Sequence, residues 1–181
     1  IVIKSGSSDM SSGGSISLKT GKSDIGSSGA IKIENGPSFE GSGDLMMLTG
    51  HTKNGGGDIQ FVTGYSTSHA GNIILNAGGS AFATGGDVRL RTGSSKTGSS
   101  GKISISTRSS ASSGSIILNS GNAHKAAAGG ISLVSGSAKV ISGGIKISVG
   151  KSAGKIGGNV DIKAGHNTGI GTGGSIGVIS G

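Results

Sequence analysis

Asp44, Asp58, Asn72 and Asp87 recur one residue ahead of four successive short apolar runs. Carboxylates at equivalent places in stacked elements would repel one another unless backbone amides or a hard, oxygen-liganded cation such as calcium compensated them. The competing reading is local, because Asp and Asn at a turn bind nearby amides without any ion. Turn chemistry is the expectation. Asp44, Asp58 and Asp87 remain the candidate ladder, and no resident metal or cofactor is expected.

Other reactive residue types occur without converging. His51, His69, His124 and His166 fall at different places in their surroundings, unlike the ligands of one metal site. Nucleophilic catalysis needs a Ser, a His and a carboxylate brought together, and no one set stands out. GIGTGG at 169–174 fits the dinucleotide fingerprint in letters, but an apolar run follows at once where a helix must begin. GKS at 21–23 and 150–152 lacks the upstream Gly of a phosphate loop. The expectation is a chain that is not an enzyme.

The element that must position these residues is a repeat. GNIILNAG and GDVRLRTG, fifteen residues apart, are two copies of a phrase that runs through the whole sequence. Thirteen openings begin at residues 1, 16, 31, 45, 59, 73, 88, 103, 116, 131, 145, 160 and 176, so the spacing runs from 13 to 16. Positions one and three of each opening are large and apolar; positions two and four are often charged or polar. That period of two is the pattern of a half-buried strand. Position six is Gly in every copy except one, where Arg108 stands. A Gly so regular predicts a corner with positive φ or close chain approach. Two residues further on lies a small side chain, as at Ser8, Ser23, Thr52, Ser95 and Asn167, and a second Gly precedes the next opening.

Units of this size bury an apolar face only by stacking. The predicted fold is therefore all-β: one continuous β-solenoid, or β-helix, over residues 1–181. It would have about thirteen coils of 13–16 residues, Gly corners and a thin Ile/Leu core. At a strand separation of about 4.8 Å the rod would be on the order of 60 Å long. The short spacing after Arg108 predicts a rearranged eighth coil. IVIKSG at one end and IGVISG at the other read as ordinary repeats without caps, which predicts a segment of a longer chain, or copies stacked head to tail.

In that frame the outward positions form two surfaces. Met46, Leu48, Val62 and Ile74 would be neighbours in an exposed apolar patch, predicted to meet a partner or a flanking segment. Arg89, Arg91, Lys102 and Arg108 would form a basic region suited to acidic partners, anionic polysaccharide among them. Outward Lys19, Lys32, Glu34, Lys146, Asp161 and Lys163 interrupt the regular polar array that an ice-binding face would need.

Composition agrees with a repetitive structural chain. Forty of 181 residues are Gly, with one Pro, no Cys, no Trp and a formal charge of +8. Phe39, Phe61, Tyr65 and Phe82 are the only aromatic residues, too few for a conventional two-layer core. No apolar run approaches the roughly 20 residues of a membrane-spanning helix. The wording SGGSISLKTG, GGDIQFVTG, GGDVRLRTG, SGKISIST and SGGIKISVG resembles the SGxIxLxTGxS repeats of very large extracellular proteins of unicellular algae. It resembles more loosely the GDIxLxAG repeats of bacterial filamentous adhesins. The resemblance covers the whole chain and implies surface or fibre material with no catalytic residue. The expected function is the shaft of an extracellular filament, surface hair, adhesin or matrix fibre, associating end to end and laterally, with no nucleic-acid partner. A binding module for ice or anionic polysaccharide is the alternative.

Overall fold

The computed structural model describes residues 1–180. Its backbone follows the repeat, with a run through each apolar opening, a bend, and an approach to the next opening. Twelve bends lie at 9–11, 24–26, 39–40, 53–54, 67–68, 81–83, 96–98, 111–112, 124–126, 139–140, 153–155 and 169–171. Eleven begin three residues past position six, including the one that follows Arg108; the last begins four past Gly165. Bends of three residues occur in the repeats of 15 and 16, and bends of two in those of 13 and 14. Length variation is thus absorbed largely at the bend. The repeat containing Arg108 is short in its loop, but it turns where its neighbours turn.

The small residue two past the corner holds the bend. The Ser8 hydroxyl accepts from the Ser11 amide at 3.0 Å, that of Ser23 from Gly26 at 2.9 Å, and that of Ser80 from Ala83 at 2.9 Å. Ser95 accepts from Gly98 at 2.9 Å and from Thr97 at 3.4 Å. Asn167 repeats the device with its side-chain carbonyl, 2.7 Å from the Gly169 amide. A Ser, Thr or Asn oxygen reaching an amide two or three residues on substitutes for a backbone turn bond. Smallness at this position is therefore accompanied by acceptor chemistry, although Ala123 and Ala138 show that the bend also forms without it.

In five loops the glycine two residues before the next opening closes the loop. The Gly14 amide donates to the Gly6 carbonyl at 2.8 Å, with matching bonds from Gly86 to Gly78 (2.9 Å), Gly101 to Gly93 (3.1 Å), Gly143 to Gly136 (3.3 Å) and Gly174 to Gly165 (2.9 Å). A Cβ on Gly14 would lie 3.1 Å from the Ser5 Cβ, and one on Gly101 would lie 3.2 Å from the Thr92 Cβ. The corner glycines Gly6 and Gly93 have open space at the same point. No described glycine has positive φ. The close approach predicted for position six is found instead at the glycine before the next opening, as at Gly14, Gly101 and Gly174.

Among the described residues there is no strand and no helix, and the five closures just named are the backbone-to-backbone hydrogen bonds. The predicted all-β solenoid is overturned: no coil pairs with the next, and there is no β-helix and no Ile/Leu core. Alternation of apolar and polar residues selects which side chains share a face. It names no partner for the backbone, and an unpaired extended run satisfies it equally well. Here the connecting loops are Gly- and Ser-rich, with lengths that vary from copy to copy. Ordering such loops carries a high conformational entropy cost, set against only two regular aliphatic side chains per repeat. No described residue is buried, and only Thr20, Ser135 and Asn167 are even partly sheltered.

The chain divides into two units, Ile1–Leu90 and Arg91–Gly181. No helix among the described residues is long and apolar enough to cross a membrane.

Two outcomes check the loop. Gly101→Val should break the closure to Gly93 and increase exchange of that amide severalfold, whereas Gly93→Val should leave it in place; equal effects would contradict the assignment. Ser95→Ala should loosen the 96–98 bend by about 0.5–1.5 kcal/mol, the net worth of one hydrogen bond, read as faster exchange at Gly98. Ser95→Asn should restore it.

Candidate functional site

The recurrent chemical feature of the structure is an unpartnered apolar pair, carried in register on every repeat. From the second repeat onward the first-position residues, such as Ile16, Ile59, Ile103 and Val160, are 49–59% exposed. The third-position residues are generally more open, as at Leu18, Leu75 and Leu118. Neither position is covered by another part of the described chain.

A second set of apolar side chains was not singled out in the sequence. Met10, Ile25, Phe39, Phe82 and Ile170 sit within bends and are 98–110% exposed. Their signal was present in the loop wording, but at varying distances from the corner, so an alignment on the openings leaves them out of register. In the first unit three of these bends place a carboxylate beside the apolar residue: Asp9 with Met10, Asp24 with Ile25, and Glu40 with Phe39.

Met46, Leu48, Val62 and Ile74 are all exposed, as are Ile117 and Val134 at corresponding positions later in the chain. The predicted patch needed stacked repeats to bring these four side by side. Without paired strands Met46 and Leu48 share one run, Val62 lies on the next and Ile74 on the one after it.

Asp87 is ion-paired with Arg89. No group of three or more His, Asp or Glu side chains converges among the described residues, so Asp44, Asp58 and Asp87 do not form one cluster. Ser68 Oγ and His69 Nδ1 are 2.9 Å apart, a hydrogen bond between chain neighbours. The His69 ring has no carboxylate partner among the described residues.

Within the basic region, Arg89 alone has a carboxylate partner among the described residues; Arg91, Lys102 and Arg108 have none. The other ion pairs, Lys22 with Asp24 and Lys32 with Glu34 at 2.7 Å, also lie in the first unit. All three pairs are highly exposed and join residues two apart, so water and salt screen them strongly and they add little to stability.

The arrangement offers a repeated surface: aliphatic pairs on the runs, and apolar or charged side chains at the bends. Comparison with protein-family models, with curated proteins and with solved structures finds no match for this chain.

Proposed function

We propose that the chain is a self-associating structural element of extracellular material, a filament, surface hair, adhesin or matrix fibre, in which copies cover one another's apolar positions. The observation that carries this reading is the uncovered aliphatic pair at every repeat. Large apolar side chains of the described residues range from 47% exposed at Val149 to 121% at Ile1. The described surface totals 18837 Å². A compact monomer of this mass would expose about 7,800 Å², so the chain retains a large area available for association. Large aliphatic side chains left in water in this number favour contact with another molecule that covers them.

Repetition suits a structural role, because a contact made by one repeat can be made by all of them. Individually weak contacts then sum along the chain without requiring a deep interface at any one place. The extracellular setting is supported by the likeness of the repeat wording to surface and fibre proteins. The role proposed for these residues is cohesion, not catalysis.

The test is concentration dependence. Light scattering should show soluble chains at high dilution and growing assemblies above a threshold concentration. Burial of one Ile or Leu is worth about 1.5–3 kcal/mol. Ile16→Ser together with Ile103→Ser should therefore raise that threshold at least about tenfold. A chain that stays monomeric at every attainable concentration, or a variant with an unchanged threshold, would sink the proposal.

A further inference from the structure

The boundary between the two units is also a boundary in charge. Ile1–Leu90 carries six Lys and Arg against seven Asp and Glu, a formal −1. Arg91–Gly181 carries ten Lys and Arg against the single carboxylate Asp161, a formal +9; together they make the +8 of the chain. Ion pairing follows the same division. All three pairs lie in the first unit, and none of the ten cations of the second has a carboxylate partner among the described residues.

The bends show where these charges are displayed. In the first unit, three of six bends carry a carboxylate, Asp9 with Met10, Asp24 with Ile25, and Glu40 with Phe39, and one carries a lysine, Lys53. In the second, four of six bends carry a lysine: Lys96, Lys125, Lys139 and Lys155. All four are exposed. Because the bends follow the repeat, these ammonium groups recur along the sequence at intervals set by it.

We propose that Arg91–Gly181 binds a linear anionic polysaccharide, sulfated or polyuronate, through this recurring set of lysines. Ten unpaired cations on 91 residues set up a positive potential that concentrates a polyanion and gains from release of its counterions. A second copy of the chain cannot satisfy that charge. In its first unit, Asp24, Glu34 and Asp87 already have partners, which leaves Asp9, Glu40, Asp44 and Asp58 against ten cations.

The side-chain types favour polysaccharide over nucleic acid. All Phe and Tyr residues of the protein lie in the first unit, so the cationic unit has no large aromatic platform for base stacking, only the rings of His124 and His166. Eight of its ten cations are Lys, a mobile point charge, and only Arg91 and Arg108 offer the planar fork suited to bidentate phosphate. Its abundant Ser, Thr and Asn side chains supply donors and acceptors for sugar hydroxyls. Binding uses the charged loops and does not depend on the apolar contacts proposed for self-association.

The test titrates the full chain, below its association threshold, into labelled dextran sulfate, polygalacturonate, uncharged dextran and polyuridylate. Both anionic polysaccharides should bind, uncharged dextran should not, and polyuridylate should bind no more tightly than polygalacturonate. Two variants separate location from net charge. One carries Lys96→Gln, Lys125→Gln, Lys139→Gln and Lys155→Gln; the other carries Lys4→Gln, Lys19→Gln, Lys22→Gln and Lys53→Gln. Each removes the same amount of positive charge. The first should weaken polysaccharide binding at least about tenfold and lower its log–log salt slope by about 3, whereas the second should change affinity less than about threefold. Equal losses from the two variants would overturn the proposal in favour of net-charge attraction. So would failure to bind either polysaccharide, and tighter binding of polyuridylate would assign the unit to nucleic acid instead.

Discussion

The local order of this protein depends on the return of the chain to its own corner. In the closed loops, the glycine two residues before an opening meets the carbonyl of the preceding corner, and its missing side chain leaves room for the fifth-position residue. Gly14 against Ser5 and Gly6, and Gly101 against Thr92 and Gly93, show the arrangement most directly. Each closure is a single hydrogen bond in an exposed setting, worth about 0.5–1.5 kcal/mol. The loops therefore define the repeat without locking one repeat to the next.

That weakness between repeats has a consequence for function. Aliphatic pairs that would form the interior of a stacked structure remain on the surface, where they can serve as contacts between molecules. The same openness displays the bend residues. Because these differ between the two units, one repeating backbone carries two kinds of surface: apolar and acidic at three of the bends before Leu90, lysine-bearing at four of those after it. Cohesion between copies and attachment to a polyanion can then reside in one chain without competing for the same side chains.

Much of the local pattern was legible in the sequence. Thirteen openings, their alternating side chains and the placement of a turn after each are all written in the order of residues, since each involves groups only a few positions apart. The turn is a local affair of Ser, Thr, Asn and Gly, and its register survives even the change to Arg108. Less legible was the division of labour among the glycines. Position six looks the more demanding because it follows the apolar opening so regularly, yet it faces open space, and the crowded glycine is the later one. Only the path of the returning chain distinguishes them.

The sequence by itself determined the periodicity, the face that each side chain shares with its neighbours, and the total charge. The tertiary structure decided whether those faces meet. Alternation is equally compatible with a paired and an unpaired run, so the Ile and Leu rows that implied a stacked core proved to be exposed, and Met46, Leu48, Val62 and Ile74 lost the contiguity that stacking would have given them. The structure also placed the unit boundary after Leu90, which divides the chain into a nearly neutral unit and a strongly cationic one. The physical reason is common to both results: propensity and periodicity act over a few residues, whereas burial and grouping of charge depend on which distant segments come together.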